Sequence, residues 1–137
     1  MFKILITLLL IVGISQANNI SDLRNSYDMG NLDSGFKLGK LLKKQKKYEE
    51  SSQIFVDLML ANYPKSYIEL GDIFENALGI ERNCEKAATF YIGAVSENIC
   101  EGYLKLSEMI KNKNCYKVYN SNLESKFLKK YKDCINK

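Results

Sequence analysis

The 137-residue sequence contains no histidine and no tryptophan, and only one proline. The absence of histidine removes the side chain most often used as a general base near neutral pH, and the commonest metal ligand. The four cysteines include no Cys-x-x-Cys pair, the spacing that zinc sites and dithiol redox centres favour. No Gly-rich phosphate loop and no cluster of paired carboxylates is visible. A Ser-x-x-Lys tetrapeptide does occur, Ser34-Gly35-Phe36-Lys37, but no Ser-Asp-Asn or Lys-Thr-Gly comes after it. The expectation is a protein that is not an enzyme and holds no cofactor or metal. Charge of one sign is also scarce. The 20 basic residues face 16 acidic ones, and the two kinds are interleaved, so no basic stripe for nucleic acid forms.

Long hydrophobic runs are confined to the start. Lys3 precedes an apolar stretch from Ile4 to Ile14 that only Thr7 and Gly13 interrupt. The run is shorter than the ~20 residues a spanning helix needs. Ser15-Gln16-Ala17 then places small residues where a signal peptidase inspects the chain. Residues 1–17 therefore read as a secretory signal cleaved after Ala17, and the mature protein as exported, periplasmic or extracellular. Residues 18–32 are polar, with Ile20, Leu23 and Tyr27 spaced for a short helix. They read as a frayed lead-in that partly caps the first helices of the mature chain.

What the remainder has in abundance is helical periodicity, and it recurs. Tyr67, Leu70, Gly71 and Phe74 share a helical face; a turn centred on Ala77, Gly79 and Ile80 comes next; Ala87, Phe90, Tyr91, Ala94 and Val95 then mark a second helix. Two short amphipathic helices cannot bury their faces alone and need neighbours of their own kind. Leu38-Gly39 precedes Leu70-Gly71 by 32 residues, and Leu106-Ser107 lies 36 residues beyond it. Three units result, at about 33–64, 65–98 and 99–137. The third turn is short, Lys111–Asn114, so its second helix is expected to begin at Cys115. Ser121-Asn122-Leu123-Glu124 reads as a capping box. Behind it Leu123, Phe127, Leu128, Tyr131 and Ile135 share one face, and Lys126, Lys129, Lys130 and Lys132 fill most of the rest. Such one-sidedness suits a terminal cap of a solenoid. A basic amphipathic helix is also the form that lies on anionic lipid.

The central stretch resembles a Sel1-like repeat, a relative of the tetratricopeptide repeat. The resemblance rests on Leu70-Gly71, Phe74, Ala77-Leu78-Gly79-Ile80, Asn83, Lys86-Ala87, Phe90-Tyr91 and Ala94-Val95. Ala77 stands where the pattern usually has Gly, Asn83 where it has Asp, and Val95 where it has Ala. The resemblance implies an all-α fold, a short right-handed α–α superhelix of about three helix pairs with a C-terminal capping helix. It narrows to the secreted bacterial type. Some of those proteins are associated with β-lactam binding or hydrolysis, which is the enzymatic alternative it implies.

Cys84, Cys100, Cys115 and Cys134 are an even set behind a signal, which predicts two disulfides. Cys84 and Cys100 sit at opposite ends of one predicted helix, ~24 Å apart at ~1.5 Å per residue, whereas bonded Cα atoms lie within ~7 Å. Cys100 and Cys115 bracket another helix and fail in the same way. The pairing expected is Cys84 with Cys115 and Cys100 with Cys134. By register with the Leu-Gly pairs, the first helices of the units would line a concave face carrying Lys40, Lys43, Asp72, Glu75, Glu108 and Lys111. That mixed charge suits another protein or peptide. The reading is an exported, monomeric protein-interaction module; a host- or membrane-surface factor is the remaining alternative.

Overall fold

A computed structural model describes residues 19–112, 115 and 120–137. The expected signal, residues 1–17, lies outside them. Every regular element among the described residues is a helix: α1 over 19–28, α2 Leu32–Lys44, α3 Tyr48–Leu60, α4 Ser66–Glu75, α5 Cys84–Ser96, α6 Glu101–Lys111 and α7 Ser121–Ile135. None is long and apolar enough to cross a membrane.

Local chemistry starts and stops these helices. Asn31, Asn83 and Asn120 each accept, through the side-chain oxygen, a backbone N–H three residues on, at 3.0, 2.8 and 3.0 Å. Each thereby satisfies an N–H that the first turn leaves without a partner. The last of these corrects the sequence reading by one residue: Asn120, not Ser121, is the cap of α7. Three helices end in a residue of left-handed conformation, Lys46, Asn62 and Asn98, with φ near 60°. Ala77 does the same after α4 at φ 55°, without the glycine or asparagine that tolerates it.

The helices pack as successive pairs, α2 with α3, α4 with α5, α6 with α7, and each pair stacks on the next through α3–α4 and α5–α6. The result is a short α–α solenoid. Leu38, Leu70 and Leu106 are all buried at the equivalent register. Beside them Gly39 leaves no room for a Cβ, which would fall 2.8 Å from the Phe55 ring; Gly71 meets the Tyr91 ring in the same way. In the third unit buried Ser107 takes this place, its hydroxyl bonded to Leu104 O at 2.7 Å.

Two hydrophobic clusters fill the interior. The first joins Leu38, Leu42, Ile54, Phe55, Leu58, Leu70 and Ile73, and Ile20, Leu23 and Tyr27 of α1 pack on it. The lead-in is thus a helix from residue 19 that covers the first pair. The second cluster joins Ile68, Ala87, Tyr91, Ala94, Leu106 and Met109.

The end of the chain departs from expectation. Cys115 lies in a turn, and residues 116–119 of the helix expected there fall outside the described residues. The helix that partners α6 is α7, so the terminal helix is the second member of the third pair as well as its cap. No α7 residue is fully buried. Phe127 packs on the second cluster, but Leu123 and Ile135 are 39% and 55% exposed.

Candidate functional site

The first helix of each pair, α2, α4 and α6, contributes to one face. Its centre is an ion network between α2 and α4. The Lys43 ammonium bonds to Glu69 Oε2 and, at 2.7 Å, to Asp72 Oδ2. Lys40 Nζ lies 3.9 Å from Glu69 Oε1 and 5.6 Å from the centre of the Phe36 ring. Asn76 Nδ2 donates to Asp72 Oδ1 at 2.8 Å. Burial alone would lower the pKa of Lys43, but the Asp72 and Glu69 carboxylates outweigh it and hold the pKa above the usual lysine value.

A second polar contact lies deeper. Glu75 is buried, and its Oε2 accepts from the Tyr91 hydroxyl at 2.7 Å. Its Oε1 is 3.5 Å from Asn112 Nδ2, at the end of α6. Burial, and then Glu75, push the Tyr91 phenol well above its ordinary range. The carboxylate accepts only from the protonated phenol, so the pair is stable while Tyr91 keeps its proton.

The structure therefore sorts the six residues expected on the concave face. It brings Lys40, Lys43 and Asp72 together as a bond between neighbouring units. Glu75 is buried beneath the face rather than displayed on it, a correction that follows from the Tyr91 side chain reaching across from α5. Glu108 and Lys111 remain exposed on α6, with Lys105 Nζ 3.3 Å from Glu108 Oε2. Sequence reasoning missed Glu69, which is 8% exposed and sits at the centre of the network. Its signal was its place three residues before Asp72, one helical turn away on the same side of α4.

Beside the network lies a groove of about 270 Å³, lined by Phe36, Lys40, Lys65, Ile68, Glu69, Ile99 and Glu101. It draws on α2, α4 and the start of α6. Phe36, Ile68 and Ile99 supply apolar surface; two lysines and two glutamates surround it. A larger depression of about 730 Å³ lies at the α2–α3 turn, where Lys46, Lys47, Tyr48, Glu49, Glu50 and Gly79 contribute to its lining.

The four cysteines form two disulfides. Cys84 joins Cys115 with Cα atoms 5.4 Å apart, and Cys100 joins Cys134 at 5.7 Å. The Ser34 hydroxyl is 2.8 Å from that of Ser26. Among the described residues no group of three or more histidine, cysteine or acidic side chains is placed to hold a metal ion.

Neither protein-family models nor the sequences of curated proteins match this chain. Among solved structures it matches the crystal structure of a Sel1 repeat protein from Oxalobacter formigenes, with a TM-score of 0.72 at 16% identity. The match covers 83% of this chain and 47% of that one, so the chain spans about half the length of this neighbour. The protein is thus an all-α repeat solenoid. Its fold is that of a Sel1 repeat protein.

Proposed function

We propose that this protein is an exported interaction module that holds a short segment of another polypeptide across the groove between α2, α4 and the start of α6. The observation that carries this reading is the groove's makeup: Phe36, Ile68 and Ile99 supply apolar surface among charges of both signs, Lys40, Lys65, Glu69 and Glu101. A peptide with an apolar anchor and flanking charges matches such a lining. The lysine–carboxylate network behind it keeps α2 and α4 at a fixed spacing, which lowers the ordering cost of binding. Export is supported by the two disulfides, which persist in oxidising compartments. A signal ending at Ala17 is part of the same proposal.

The test is cross-linking in intact cells followed by identification of what is captured. Lys40→Glu combined with Glu101→Lys inverts the rim at two exposed positions. The expected result is one defined protein recovered with the native chain and lost with the variant, the variant keeping its helical circular-dichroism spectrum. Equal recovery with both forms would remove this groove as the site.

A further inference from the structure

The excess positive charge of the sequence after residue 18 resides in its last stretch, α7 and the two residues that follow it. Residues 19–120 contain fourteen basic and fourteen acidic side chains, whereas 121–137 contain five lysines against Glu124 and Asp133. Lys126, Lys129, Lys130 and Lys132 are exposed along α7, while Phe127, Tyr131 and Cys134 turn toward α6 and the core. Lys130 Nζ lies 5.6 Å from the centre of the Tyr103 ring on α6, and Cys134 is bonded to Cys100. The lysine face is therefore presented on a helix fixed to its neighbour, with the rest of the molecule electrically balanced.

We infer that α7 is an electrostatic docking face for an anionic lipid bilayer, with the helix lying flat and its lysines among the headgroups. Two observations select lipid over a folded protein. The outward half of α7 carries Lys, Ser, Asn and Asp but no aromatic residue and no Arg, the residues that anchor protein interfaces. It also concentrates charge: Lys130 and Asp133 border a small cleft of about 210 Å³ beside Tyr103, but Lys126, Lys129 and Lys132 stand exposed along the helix, and an anionic membrane rewards charge without requiring shape. Leu123 and Ile135, exposed at the two ends, are separated by the helix length and form no continuous apolar stripe, so adsorption is peripheral. No α7 residue lines the α2–α4 groove, which stays open when the helix is on a surface.

The experiment is flotation of the full chain with vesicles of phosphatidylcholine alone or with about one-third phosphatidylglycerol, at low salt and near 0.5 M salt. The native protein is expected to float only with anionic vesicles at low salt. Lys126→Glu with Lys129→Glu should reduce binding at least about tenfold, since each lysine near the surface adds to the affinity. Lys37→Glu with Lys46→Glu makes the same change in net charge on exposed positions elsewhere and should retain most of it. Absence of native binding, or equal losses in the two variants, would overturn the assignment. Retention on a poly-glutamate resin without binding to vesicles would overturn it too, and point to an acidic polypeptide.

Discussion

The Tyr91 hydroxyl and the Glu75 carboxylate meet at 2.7 Å inside the protein, and one comes from each helix of the central pair. Tyr91→Phe keeps the ring against Gly71 but removes the donor and leaves a buried carboxylate oxygen without it. The expected loss is about 1–3 kcal/mol, read from urea unfolding. Little change would mean that Asn112 and water take over the role of the phenol.

Lys43 bridges two acids of the next unit. Lys43→Met retains much of the aliphatic stem and removes the charge, leaving mostly buried Glu69 with only Lys40 at 3.9 Å. A loss of about 1–3 kcal/mol is expected. It should shrink when Glu69→Gln is added, since the uncompensated charge is then gone. A full additive loss would show that the two side chains do not interact.

Alkaline pH should weaken the fold in a defined window. Burial, then a hydrogen bond from the Tyr63 hydroxyl to Asp33, raises the Tyr63 pKa from 10.0 to about 12. Below pH 10 both folded and unfolded chains hold the proton, and the stabilisation is fully present. As pH rises from 10 toward 12 the unfolded chain releases it first, so stability falls. Tyr91 and Lys43 are shifted in the same direction and add to the decline. Urea midpoints across this range should drop, and more gently in Tyr63→Phe.

Ala77 holds a left-handed backbone at φ 55° and is exposed. Ala77→Gly relieves that conformation and should stabilise the protein by up to about 1 kcal/mol, net of glycine's greater freedom when unfolded. Thermal unfolding decides it, and a lower midpoint would show that the alanine methyl contributes more than its backbone costs.

Loss of Cys100–Cys134 should act locally. α7 contains no fully buried residue, so Cys100→Ser with Cys134→Ser removes much of what holds it, with a cost of about 2–4 kcal/mol. Hydrogen exchange should rise across α7 while α2 and α3, which have their own core, stay protected. Uniform loosening of all helices would contradict this division.

What was legible in the sequence was local or periodic. The Leu38-Gly39 and Leu70-Gly71 pairs, the Asn83 cap and the Gly79 turn each depend on a few neighbouring residues. What escaped depended on partners distant in sequence. Glu69 and Glu75 look like surface acids on α4 until Lys43 arrives from α2 and Tyr91 from α5. The exposure of Leu123 and Ile135 could not be read from α7 alone, because the surface available to cover that helix is set by α6 and the second cluster. The groove likewise needs three helices at once, and no single stretch contains its lining.

The two disulfides interleave along the chain, Cys84, Cys100, Cys115 and Cys134 being joined first to third and second to fourth. Cutting the backbone once anywhere between Cys84 and Cys134 therefore separates nothing, because at least one sulfur bridge always spans the cut. A protease that nicks the chain between these cysteines would leave a molecule of nearly unchanged mass, its fragments parting only after reduction. In a compartment rich in proteases, the stretch from Cys84 to Cys134 survives single cleavages as one covalent body.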